Sequence, residues 1–151
     1  MAGEAPDCEK FIRDAVASQL KGDQGAPLKA AALLKSALMS AAGPGADGAP
    51  PPLAPASAVR SAVAGAMKGL ILAEADLGLS AVALIRMVGY LAADAQVDAQ
   101  ESMVWAMEGI AAAGPLMTPM ALVTVQDEIE SSFMGAGGIF ADLCHRAQTQ
   151  S

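Results

Sequence analysis

A chain of 151 residues is long enough to bury one sizeable core. It is 54% apolar with only 3% aromatics, dominated by Ala, Leu, Met and Val, which favours helices and argues against alternating β-branched strands. A net charge of −7 argues against the basic surface that nucleic acid or anionic lipid requires. That charge is uneven: residues 1–75 carry seven basic and seven acidic groups, whereas 76–151 carry two basic and nine acidic. The balance keeps an apolar chain in solution.

The helix punctuation is clear along the chain. Asp7 is placed to cap a first helix ending near Lys21, with Gly22 beyond it. Pro27 suits the first turn of a second helix over 28–42, stopped by Gly43-Pro44. Residues 1–42 therefore read as a helical hairpin. Residues 43–56, rich in Pro, Gly and Ala, read as an extended linker. Residues 57–151 read as an antiparallel helical array, within what is expected to be one domain. Ser57 is expected to cap helix three, through about Asp76, with Gly78 following. Ser80 is expected to cap helix four, to about Ala95. Asp98 and Glu101 have capping-box spacing for helix five, which ends at Gly114-Pro115. Thr118-Pro119 starts helix six, to about Met134, and a short helix seven covers 139–146. The predicted fold is all-α, six or seven short helices, with helices three to six as antiparallel neighbours.

An eight-residue phrase recurs six times, at 15–22, 33–40, 62–69, 82–89, 102–109 and 128–135. Its second and sixth positions are apolar in every copy, and its eighth is Gly in five. Apolar residues four apart share a helical face. The three middle copies are spaced by 20 residues and place Gly69, Gly89 and Gly109 near mid-helix, each two residues after Met67, Met87 and Met107. Glycine inside a helix costs about 1 kcal/mol relative to alanine. The spacing predicts a shared layer of close helix crossings, with the methionines filling the space beside it or lining a pocket.

Chemical constellations are weak. Asp94, Asp98, Glu101 and Glu108 lie near Trp105 with face-sharing spacings, but no Glu-x-x-His pair accompanies them. No metal or cofactor is therefore expected. Asp127, Glu128 and Glu130 form an acidic group that reads as a solvated face or a docking patch for a basic partner. His145 is the only histidine. It lies three residues after Asp142 and directly after Cys144, and two ligands from one turn do not close a metal site. Gly135–Gly138 lacks the strand and the Lys-Ser/Thr of a phosphate loop and reads as a flexible turn. Arg86, in the most apolar helix, is expected to reach the surface, to pair with Glu74 or Asp76, or to line a ligand pocket.

The acidic opening (Glu4, Asp7, Glu9) does not resemble a secretion signal. A cytoplasmic location with Cys8 and Cys144 as free thiols is expected. The uncharged run 109–126 just reaches membrane-span length but is broken by Gly114-Pro115 and Thr118-Pro119. The function this supports is a non-enzymatic interaction or assembly module that self-associates, a dimer being favoured. A small apolar-ligand carrier is the alternative, and a lipid-surface protein the third reading.

Overall fold

The computed structural model defines the backbone at 4–43, 48–49 and 52–150, and the side chains of those residues between 9 and 147. Among the described residues there are seven α-helices and no strand: α1 (Glu4–Leu20), α2 (Ala26–Ala42), α3 (Ala56–Leu72), α4 (Leu77–Asp94), α5 (Ala99–Ala112), α6 (Pro119–Ser132) and α7 (Ala136–Gln150). A short 3-10 turn, Gly114–Leu116, follows α5. The all-α expectation holds.

Local capping explains most of the boundaries. Asp98 precedes α5, and its carboxylate accepts from the N–H groups of Gln100 and Glu101. Thr118 does the same for α6 through Ala121 N. Three N-terminal caps differ from the sequence expectation. Asp7 falls within the first turns of α1 rather than before it. Ser57 lies inside α3, because Pro55, extended at φ −64° and ψ 159°, already directs the chain into the helix. Asp76, not Ser80, caps α4; its carboxylate accepts from Leu79 N. Ser80 is buried one turn further on and donates its hydroxyl to the Asp76 carbonyl. Ser102 repeats that bond toward the Asp98 carbonyl at 2.9 Å.

Helix three also stops earlier than expected, at Leu72. Glu74 takes the left-handed conformation (φ 59°), so that Glu74 N returns to Ile71 O and Ala75 N to Leu70 O. The next connection has the same geometry. Gln96 is at φ 59°, Gln96 N bonds Ala93 O, and Val97 N bonds Ala92 O. Both connections therefore run alanine, left-handed residue, apolar residue, capping aspartate.

Successive helices reverse direction through these short turns, but most of the packing joins alternate helices. α3 packs most extensively on α1 and α5, and α4 on α2, α5 and α6. Alternate helices run the same way. Gly65 faces Glu9 while Gly69 faces Arg13 and Val16, so α1 and α3 advance together. Gly78 meets Glu128, and Arg86 lies over Phe133 just past α6, so α4 and α6 do likewise. The result is two rows of helices, α1-α3-α5-α7 and α2-α4-α6. One core runs between them, from Ile12, Val16 and Leu34 through Met67, Leu84 and Ile110 to Ile129 and Phe140.

The N-terminal hairpin is part of that core, with Val16 and Leu34 fully buried. Of the expected linker, Ala54 is buried and Pro55 leads into α3, while 44–47 and 50–51 lie outside the described residues.

Candidate functional site

The glycines predicted as one layer serve three different crossings. Gly69 of α3 lies against α1: a Cβ there would meet Arg13 O at 2.6 Å and Val16 Cβ at 2.7 Å. Gly65, one turn earlier, meets the Glu9 backbone still more closely. Gly109 of α5 lies against α3, where a Cβ would meet Arg60 O at 2.7 Å and Val63 Cβ at 2.9 Å. Gly89 differs. It faces no backbone, only the side chain of Met103, with the sulfur at 3.2 Å from an added Cβ. An ion pair flanks each backbone crossing. Lys68 donates to Glu9 at 2.6 Å, and Arg60 donates to Glu108 at 3.0 Å.

The methionines also part company. Met67 and Met107 are buried in the core. Met87 instead lines an open groove between α2 and α4. The reason is the rotation of α4. Helices α2, α3, α5 and α6 all pack against it, and its core positions are Leu84, Ile85 and Val88. The apolar pair of the phrase, Ala83 and Met87, is left facing the groove. No single mid-height layer or pocket joins the three methionines and three glycines.

The α2–α4 groove is a half-open cavity of about 410 Å³. Leu28 of α2, 75% exposed, and Leu79 and Tyr90 of α4, the latter 61% exposed, form its walls. Ala31, Val82 and Ala83 form its floor. Among the described residues, Arg86 is the one charged residue lining it. Its guanidinium lies 5.6 Å from the centroid of the Phe133 ring, a cation–π distance. It does not turn to Glu74 or Asp76; Asp76 is engaged as the α4 cap.

The acidic groups have separate structural tasks. Asp127 is exposed. Glu128 is half-buried against Gly78 of α4. Glu130 accepts from Gly135 N at 2.9 Å and Gly137 N at 3.0 Å. Those two bonds, Gly135 first, hold its carboxyl below its ordinary pKa. Glu130 thus occupies the α7 N-terminus, and the glycine-rich stretch splits into one turn residue, Gly135 (φ 87°), and the first turn of α7. The three acids do not form one patch.

Asp94, Asp98, Glu101 and Glu108 are likewise dispersed. Asp98 is a cap, Glu108 pairs with Arg60, and Asp94 and Glu101 are exposed. Trp105 is half-buried against the core. Among the described residues no group of three His, Cys, Asp or Glu side chains is arranged to hold a metal ion. Asp142 pairs with Arg146 at 3.0 Å rather than with His145, which is exposed. Cys144 is a free, half-buried thiol whose pKa burial pushes up. The side chain of Cys8 lies outside the described residues, so the expectation about the two cysteines does too.

At the N-terminal end of the two rows, α1 rests on α3 and α2. Phe11 stays 73% exposed. It borders a second apolar groove, about 420 Å³, with Ile12 and Ala15 of α1 and Leu33 and Ala37 of α2. Among the described residues no charged side chain lines it. Among the described residues one helix, α4, is long and apolar enough to cross a membrane; nearly half of it is buried by its neighbours.

Sequence reasoning missed Gly65, the Phe11 groove and the partner of Arg86. The Gly65-x-x-x-Gly69 spacing was the available signal for the first. No family model matches the chain, and no curated protein or solved structure shows significant similarity to it.

Proposed function

We propose that the protein is a non-enzymatic helical assembly module that associates with a second copy of itself through the α1–α2 end. The observation that carries this reading is the exposed Phe11 beside an apolar groove, without a charged side chain among its described residues, at the end of a stacked helical array. Stacked arrays need a polar outer face on the terminal helices, or a partner, because an end pair has a neighbour on one side only. Here the groove between the two end helices is apolar, with Phe11 exposed beside it. Charge favours like ends meeting at this face. Residues 1–75 are neutral overall, so two copies approach without net repulsion, whereas two C-terminal halves would bring together −7 and −7. A twofold axis would place each Phe11 in the partner's groove between α1 and α2. The engagement of most acids in caps and ion pairs supports a binding rather than a catalytic role. A cytoplasmic setting remains part of the same proposal.

Light scattering of the purified chain tests the reading. A dimer is expected, and Phe11→Glu should give a monomer with unchanged helical circular dichroism. A wild-type chain that stays monomeric across the micromolar range sinks the proposal.

A further inference from the structure

We infer that the α2–α4 groove is a binding site for a single-chain amphiphile with an anionic head, a free long-chain carboxylate being the ligand chemistry that fits it. The site is separate from the α1–α2 face. Size comes first: about 410 Å³ lies toward the small end of the roughly 300–1,000 Å³ range of ligand pockets, room for one alkyl chain rather than for a two-chain lipid. The lining gives the chain its solvent: Leu28, Leu79, Val82, Ala83 and Met87 present carbon and sulfur, and Met87 adapts its shape to a flexible guest.

Charge gives the head its place. Residues 76–151 hold nine acids and two basic groups. Arg146 pairs with Asp142, whereas Arg86 pairs with none of the nine among the described residues. Arg86 lines the groove while its guanidinium lies over the ring of Phe133, a residue outside the groove lining, and a ring contact of that kind uses none of the guanidinium N–H donors. Among the described residues no carboxylate lines the groove to compete. The nearest acid in sequence to that lining, Asp23, is already committed to Lys29 at 2.6 Å and to Gly25 N at 2.7 Å. An arginine bordering an apolar trough, with no acid partner among the described residues, is complementary to a carboxylate with a hydrocarbon tail.

The probe is sodium dodecanoate, kept below its micelle concentration and titrated into the full chain by calorimetry, with native mass spectrometry for stoichiometry. One dodecanoate per chain is expected, bound at least tenfold more tightly than dodecylammonium. Arg86→Gln should weaken dodecanoate about tenfold, the loss of one charge-assisted contact, and leave dodecanol unchanged. Ala83→Phe should fill the trough and abolish binding of both. Equal binding of the anionic and cationic probes, or dodecanoate binding indifferent to Arg86→Gln, overturns the inference. So does a change of oligomeric state on Ala83→Phe, which would make the groove a subunit contact. Two-chain phosphatidic acid vesicles binding better than dodecanoate would assign the groove to a membrane instead and overturn it equally. Phe11→Glu, which tests the assembly face, should leave dodecanoate binding intact, so the two proposals stand or fall apart.

Discussion

Gly69, Gly89 and Gly109 look alike in sequence, yet they should respond differently to the same added methyl. At Gly69 and Gly109 a Cβ meets a carbonyl oxygen of the next helix, which moves only with its backbone. Alanine at either is expected to cost about 1–3 kcal/mol through overpacking, read as a lower midpoint in urea. At Gly89 the obstacle is the flexible Met103 sulfur. Alanine there is expected to be neutral or to stabilise by up to about 1 kcal/mol, since it removes a helix-interior glycine. The glycines themselves were legible as helix-interior residues; their partners were not. Which atom a glycine touches depends on how each helix is rotated about its axis, and α4 is rotated so that Ala83 and Met87 face a groove. Glu130 carries a pH prediction. Its folded pKa is lowered by Gly135 N and Gly137 N, so its contribution is present above the ordinary carboxylate range and is lost as pH falls through the folded value. Glu130→Gln should flatten the acid-side slope of stability against pH; an unchanged slope would show that the carboxylate does not act as the α7 cap.

The caps show what short stretches of sequence can and cannot reveal. Asp98 and Thr118 were readable because a cap is a bond between a side chain and a backbone N–H two or three residues on. Ser80 misled because serine serves a second local bond equally well. Its hydroxyl returns to the Asp76 carbonyl four residues back, inside the helix that Asp76 has already capped. The two connections on either side of α4 were not readable at all, since Glu74 and Gln96 stand where glycine usually does. A non-glycine residue in that conformation is strained by about 1 kcal/mol. Gln96→Gly should therefore raise stability by up to about 1 kcal/mol, visible as a higher thermal midpoint. A fall in midpoint would mean that the Gln96 side chain makes compensating contacts.

The helical class and the six or seven helices were evident from composition and punctuation, but the arrangement was not. Short turns dictate that successive helices reverse; they do not dictate which faces meet. The contacts that matter join Gly69 to Arg13 and Gly109 to Arg60, roughly fifty residues apart, and nothing local encodes them. Neither groove was legible either, because each is built by two helices. The acidic C-terminal half and neutral N-terminal half were, however, plain in the sequence, and they would give the proposed self-association its polarity. If like ends meet at α1–α2, dimerisation should depend little on salt, because no net charge is buried there. Sedimentation at low and high ionic strength checks this: a dimer that appears only in high salt would point to the acidic ends instead.

The alternation of partners also sets an order of events during synthesis. Apart from α2, whose row mate α4 comes later, each helix from α3 onward finds an earlier helix of its own row already made: α1 for α3, α2 for α4, α3 for α5. A chain emerging from a ribosome can thus add one helix at a time to a growing stack, without holding an apolar face open until the C-terminus arrives. The exception is the first pair, which begins the stack with nothing beneath it. Its outer face, with Phe11, is still uncovered when the last described helix has been added.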